Sequence, residues 1–313
     1  MLKIFKVLIL SVFLAPAITS AQDLDFVAAY LVNGDTRLEP SGLALCQGKL
    51  VFVSDKHDRD VFELIIGDDG FTRSTPFLKL NDIPVPPPQE FPILTRLTRF
   101  IFELLGISGG FDWEGVACSS HGDYFLASEY YFSVLKIAAD GSKSWIGDNI
   151  YKVGFDAGLF KKNNAYIEGI TFQDNTNKLI LAAEREPRGM LTISESGEVD
   201  TFVQAGSDLS SEGLPFDYTG LEMVEDRLFV LERNHYQVCE LTNNFVAKQC
   251  FSFKQIALSD AWGYETGKYG LAEGLAIDLE SIWIIVDNNG DPRRLDQNDR
   301  RSTLMKFNNP FFH

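Results

Sequence analysis

The chain has 313 residues, 45% of them hydrophobic, and carries 44 Asp and Glu against 28 Lys and Arg, a formal net charge of −16 at pH 7. A surface this acidic repels phosphate backbones and anionic lipid, which excludes nucleic-acid binding, and an anionic ligand would need a metal ion to bridge it. The length and apolar content suffice for one large core.

Residues 1–21 read as a secretory signal peptide: Lys3 and Lys6 flank the start, Val7 to Ala15 is apolar, and small residues lead to Ala21. The apolar run is too short to span a bilayer comfortably, and no later segment is a spanning candidate. The expected location is therefore secreted or periplasmic, with residues 22–313 as the mature domain. The four Cys of an exported chain can pair. Cys239 and Cys250 flank the turn Thr242-Asn243-Asn244-Phe245, and a four-residue hairpin loop sets them opposite each other. Cys46 and Cys118 occupy near-equivalent places in successive repeats and are either bridged or buried and free.

Five segments repeat one pattern, a small or acidic residue, a glycine and an apolar run. They are Ser41-Gly42-Leu43-Ala44, Glu114-Gly115-Val116-Ala117, Glu168-Gly169-Ile170-Thr171, Thr219-Gly220-Leu221-Glu222 and Glu273-Gly274-Leu275-Ala276. A β-rich run ending on an acid follows each: Asp55, Glu129, Glu184, Glu232 and Asp287. A period of about fifty residues built of short strands is the signature of a β-propeller. Gly or Asn turns, such as Asp140-Gly141 and Asn243-Asn244, lead each repeat into a second hairpin. The predicted fold is all-β, a propeller of five four-stranded blades, with six as the alternative.

Residues 81–110 break the period. Pro84-Val85-Pro86-Pro87-Pro88 precedes Leu94, Leu97, Ile101 and Leu104, whose spacing suits an amphipathic helix. Packing on the propeller side is favoured over a lid. A second long connection, Ile256 to Tyr269, carries Trp262 and Tyr264. The last repeat lacks a strand, and Phe26 to Leu31 is expected to pair with Thr303 to Phe307 and close the ring, which removes an exposed sheet edge.

Antiparallel pairing of the first two strands of a repeat places Glu114 beside Glu129, Glu168 beside Glu184 and Glu273 beside Asp287 at one mouth of the ring. Asp55 and Glu232 join them, and the glycines let the innermost strands approach each other. So many carboxylates either attract a hard divalent cation, Ca²⁺ better than Mg²⁺ with Asn288 and Asn289 as further oxygen donors, or pair with Arg185, Arg233, Lys56 and backbone N–H groups to tie blades together. The predicted metal set is Asp55, Glu114, Glu129, Glu168, Glu184, Glu232, Glu273 and Asp287. His57 and His235 follow mouth acids and are candidate general acid/base groups, with solvated loop histidines the favoured reading. The sequence has no Gly-x-Ser-x-Gly elbow, no His-Glu-x-x-His and no Cys-x-x-Cys.

These segments resemble the phytase-like family of exported propellers, labelled "esterase-like activity of phytase". The likeness runs from about Ser41 to Arg293 through Ser54-Asp55, Asp112-Trp113-Glu114-Gly115, Ile167-Glu168-Gly169-Ile170, Leu231-Glu232-Arg233 and Ala272-Glu273-Gly274-Leu275 with Val286-Asp287-Asn288-Asn289. The repeats are also similar to the SdiA-regulated periplasmic propellers. The phytase-like resemblance implies an ester or phosphoester hydrolase outside the cytoplasm, acting on a small ester or phosphoester; with a metal at the carboxylate mouth, one of Glu114, Glu168 and Glu273 is the candidate catalytic group that accepts the proton of the metal-activated water. The alternative is a non-catalytic, calcium-stabilised binding propeller for a ligand of the cell envelope.

Overall fold

Both faces of most strands carry apolar side chains, and the packing explains why. The computed structural model describes residues 21–33, 38–92, 96–97, 101, 110–194, 196–204, 209–210, 213–265 and 271–312. Strands β1 (Gln22–Asp23) and β2 (Phe26–Asn33) come first. The first antiparallel group is β3 (Pro40–Cys46), β4 (Lys49–Ser54), β5 (Asp60–Ile66) and β6 (Phe71–Lys79). The second is β7 (Trp113–Cys118), β8 (Tyr124–Ser128), β9 (Ser133–Ile137) and β10 (Lys143–Ile146), followed by helix α1 (Ile150–Ala157). The third is β11 (Ile167–Gln173), β12 (Lys178–Ala183), β13 (Gly189–Ser194) and β14 (Val199–Val203). The fourth is β15 (Tyr218–Val224), β16 (Arg227–Glu232), β17 (Gln237–Leu241) and β18 (Ala247–Ser252), then the short helix α2 (Lys254–Ala257). The last joins β19 (Ala272–Ile277), β20 (Ser281–Val286) and β21 (Thr303–Asn308) to β2.

The first strand of each group is innermost, and these strands meet in a closed ring, β3 on β7, β7 on β11, β11 on β15, β15 on β19 and β19 on β3. The chain is a β-propeller. Its apolar core is divided into wedges between neighbouring groups. In β4, Phe52 packs with Trp283 and Ile285 of the last group, while Val51 and Val53 pack with Val116 and Leu126 of the second. A strand covered on both faces reads as a continuous apolar run.

The closing strand lies where the incomplete last repeat requires it. β2 pairs antiparallel with β21, Phe26 opposite Phe307 and Leu31 opposite Thr303. It also pairs in parallel with β6, Leu31 opposite Phe71. Both cysteine pairs are bridged: Cys239 faces Cys250 directly across the β17–β18 hairpin, and Cys46–Cys118 joins the ends of β3 and β7.

Helix α1 has no counterpart in the sequence reading. It buries Ile150 and Tyr151 against Phe132 and Phe160, and Gly158, in the left-handed region at φ 109, ends it. The start of the 81–110 insertion lies along the second group, where Trp145 Nε1 donates to the Pro84 carbonyl at 2.7 Å and Phe91 meets Phe132 edge-on. Arg96, Leu97 and Ile101 are helical, with Leu97 and Ile101 exposed. Leu94, Leu104, the segment 1–20 and Tyr269 lie outside the described residues. In the second connection, Tyr264 is buried and its hydroxyl donates to the Arg301 carbonyl at 2.6 Å.

The inner glycines are required by close approach. A Cβ on Gly274 would lie 2.6 Å from the backbone nitrogen and Cβ of Leu43, and one on Gly42 would lie 2.7 Å from the Gly115 Cα. Backbone cannot step aside as a side-chain tip can. Gly274→Ala is therefore expected to destabilise by at least ~2 kcal/mol, read as a lower denaturation midpoint at unchanged m-value. An unchanged midpoint would show slack between β19 and β3.

Candidate functional site at the mouth of the ring

The inner strands share a defect at the residue before the glycine. The ladder slips by one residue between Pro40 and Gly42, Trp113 and Gly115, Ile167 and Gly169, Tyr218 and Gly220, and Ala272 and Gly274. A β-bulge takes one residue out of the ladder and re-aims its side chain. The bulged residues are Ser41, Glu114, Glu168, Thr219 and Glu273. A second recurrent contact holds the mouth together. The amide just past the second strand donates to the carbonyl two residues before the bulged position: Glu129 to Asp112 at 3.0 Å, Glu184 to Tyr166 at 2.8 Å, Arg233 to Asp217 at 3.1 Å and Asp287 to Leu271 at 2.9 Å.

The bulged positions divide by chemistry. The hydroxyls look to the next group: Ser41 Oγ donates to the Trp113 carbonyl, and Thr219 Oγ1 to the Ala272 carbonyl at 2.9 Å. Glu114 and Glu168 line the axial cavity beside Gly42, Gly115, Gly169 and Gly220.

On one side of the mouth the acids crowd together. Carboxylate oxygens of Asp112, Glu114 and Glu129 all lie within 4.8 Å of one another. Burial pushes the Glu114 carboxyl well above the usual range, and the charges of Glu168, Glu129, Asp112 and Asp55 push the same way. Glu129 is raised to about 8 by burial and then by Asp112, although it accepts the Tyr166 N–H at 3.2 Å. Burial also lifts Glu168 to about 8, against the pull of Arg233.

On the other side the chain supplies its own cation. The Arg233 guanidinium binds Glu184 at 2.7 Å, Asp217 at 2.8 Å and Glu273 at 2.5 Å. Arg185 also meets Glu184 and lies 3.5 Å from Asp217. Glu273 is still raised to about 8, by burial, with Arg233 pulling it down. One oxygen each of Glu184, Asp217 and Glu273 has no hydrogen-bond partner among the described residues.

The predicted ring of eight carboxylates is thus split. Glu184 and Glu273 belong to the Arg233 cluster. Asp55 is bound by Lys56, which also reaches Glu39 at 3.0 Å. Asp287 accepts the Asn289 N–H at 3.0 Å and is raised to about 7 by burial. Asn288 is buried, and its side-chain N–H groups donate to the Asp291 and Arg300 carbonyls at 2.7 and 2.9 Å. His235 is a correction, because it is no solvated loop residue. Its Nδ1 meets Glu232 Oε2 at 2.5 Å and its ring stacks on Phe216 with centroids 4.4 Å apart. His57 lies edge-on to Phe62 at 6.1 Å.

Two residues central to the mouth, Asp112 and Asp217, are absent from the predicted set. Each stands two residues before a bulged position, as Glu39 does, and an acid there is the signal that would have found them.

A model of the SdiA-regulated family matches residues 99–289, more than half of the chain. The chain belongs to the SdiA-regulated family. The match takes in the Asp112, Glu114 and Glu129 cluster and the Arg233 cluster. No curated protein matches the chain. Among solved structures, the glutaminyl cyclase of Myxococcus xanthus superposes with a TM-score of 0.51 at 10% identity, covering 92% of this chain and 100% of that one. Virginiamycin B lyase from Staphylococcus aureus gives a TM-score of 0.41 at 14% identity over 88% of this chain and 67% of that one. At these identities the likeness concerns the fold alone.

Proposed function

We propose that this SdiA-regulated propeller works outside the cytoplasm as a metal-dependent hydrolase of ester or phosphoester bonds, with Ca²⁺ held by Asp112, Glu114 and Glu129. The observation that carries the reading is the close cluster of those three carboxylates, where the charges acting on Glu114 are other acids. Three carboxylate oxygens fit a hard cation and leave part of its usual six to eight oxygen positions for water and substrate. Both disulfides, and the leader-like N-terminus, support an exported location.

A bound divalent ion supplies polarisation of the ester oxygen and activation of water at neutral pH. The chain's residues do the rest. Asp112 and Glu129 would hold the ion, their backbones tied by the Glu129 N–H to Asp112 carbonyl bond at 3.0 Å. Glu168, one strand further round the ring and lining the same cavity, would accept the proton of the attacking water in its ionised form, which a cation bound beside it favours by opposite charge. Arg233 keeps Glu273 and Glu184 occupied, so we assign Glu273 an orienting part and not the proton transfer expected from sequence.

Thermal melts with and without Ca²⁺, beside rates on an aryl ester and an aryl phosphate, test the reading. Saturating Ca²⁺ at about a hundredfold excess over Kd is expected to stabilise the protein by ~2.7 kcal/mol, and Glu114→Gln to remove most of that gain. Glu168→Gln is expected to keep the calcium response and lose activity by on the order of a hundredfold or more. A calcium response with no hydrolysis of either substrate would instead favour the binding propeller. No calcium response at all would leave the acids purely structural.

A further inference from the structure

We propose that Arg188, with Phe216 and His235, forms an oxyanion subsite beside the mouth, taking a carboxylate or phosphate group of the ligand. Arg188 lies in the β12–β13 connection that also carries Glu184 and Arg185, so it opens to the same end of the ring. Its guanidinium lies over the Phe216 ring, 4.0 Å from the centroid, and 5.1 Å from that of Tyr218. Stacking holds the planar fork in one orientation and leaves its in-plane donors for hydrogen bonds.

Those donors are buried, and among the described residues Nε and Nη1 meet no acceptor. Arg294 and Arg300 bond backbone carbonyls, and Arg293 also has a buried Nε without a partner among the described residues. Arg185, Arg227, Arg233, Arg293 and Arg301 each reach a carboxylate. A chain with 44 acidic residues has a ready supply of carboxylates, yet among the described residues none reaches this guanidinium, whose side-chain hydrogen bond goes to Tyr218. Desolvated donors with no acceptor are costly, and an oxyanion that bonds either of them removes part of that cost through a charge-assisted bond. His235 stacks on the same Phe216 ring, and its Nε2 is likewise buried without a partner while Nδ1 is held by Glu232. The subsite needs no metal. It rests on the hydrolase reading only for the idea that the anion belongs to the ester or phosphoester ligand.

Calorimetric titrations with inorganic phosphate, phenyl phosphate and benzoate, at fixed ionic strength and both with EDTA and with Ca²⁺, test the proposal. Saturable binding of at least one probe is expected in EDTA. Arg188→Gln is expected to weaken it about tenfold or more and Arg188→Lys less, because an ammonium keeps the charge and loses the fork. Phosphate against benzoate tells which oxyanion is preferred. Imidazole NMR signals of His235 in the wild-type protein are expected to shift with the same midpoint, which keeps the test alive if Arg188→Gln fails to fold. Absence of saturable binding, equal binding by Arg188→Gln, or a static His235 signal would overturn the subsite. Binding that requires Ca²⁺ and ignores Arg188 would overturn it too, while leaving the cation at Asp112, Glu114 and Glu129 intact.

Discussion

Arg233→Gln is expected to lower the melting temperature by on the order of 10 °C. One guanidinium serves three carboxylates, and Glu184 and Asp217 are each only 1% exposed. Without it they are stranded in a poorly solvated cluster with Arg185 as the remaining cation. Removing one partner of a buried ion network costs ~3–5 kcal/mol, because the desolvation of the others is no longer offset. Arg233→Lys should recover only part of the loss, since an ammonium cannot present a planar fork to three acceptors. Adding Glu273→Gln to Arg233→Gln should recover some of it by lowering the number of stranded charges. Acid should also narrow the gap between variant and wild type, as the stranded carboxylates take up protons. A variant melting within about 2 °C of wild type at neutral pH would show that the cluster makes no net contribution to stability.

In EDTA, stability is expected to fall as pH rises from about 5 to 8, and Ca²⁺ to flatten the fall. The sign follows from the mouth acids. Burial raises Glu129, Glu168 and Glu273 to about 8 and Asp287 to about 7. The native state therefore holds protons that the unfolded chain has already lost above about pH 4.5. Their contribution is complete below that point and is lost as pH rises through the native values. Carboxylates lowered by ion pairs act in the opposite sense. Glu240 is lowered by Arg227 and Asp123 by Lys136, so their contribution disappears as pH falls through the native values. Maximum stability of the metal-free protein is thus expected at about pH 5. Because Ca²⁺ competes with protons for the mouth, its effect should be small at about pH 5.5 and large at about pH 8. Urea unfolding at those two pH values, with EDTA or Ca²⁺, measures both trends. An EDTA profile that is flat from pH 5 to 8 would contradict the crowding of charge at the mouth.

Residues that set the period were legible in the sequence. Glu114-Gly115, Glu168-Gly169 and Glu273-Gly274 marked the inner strands because glycine is forced there by the next strand's backbone. The missing last strand pointed to Phe26 to Leu31 for an equally simple reason, an edge that must be covered. The chemistry of the mouth was less legible. The bulge breaks the two-residue alternation, so no pattern of spacing showed which side chains leave the ladder. Arg233 was legible as a possible partner of the mouth acids but not as the one that reaches three of them, because those acids come from separate parts of the chain. Asp112 and Asp217 hid behind the aromatic residues that follow them, Trp113 and Tyr218. Helix α1 was missed because its burial is made by tertiary contacts of Ile150 and Tyr151 with Phe132 and Phe160.

The N-terminal segment gives assembly a time order. Residues 22–33 are hydrogen-bonded to three different parts of the ring, β18 through β1, and β21 and β6 through β2. Phe26 faces Phe307, so a segment made early must wait for one made about 280 residues later. Until then β21 and β6 lack the strand that pairs with both, and each is a template for pairing with another molecule. Entropy of closing so long a loop grows only slowly with length, whereas the rate suffers from contacts so distant in sequence. Completion of the ring is then expected to be the slow, concentration-sensitive step of refolding, and losing residues 22–33 should harm the yield of folded protein more than the strength of any one inner contact.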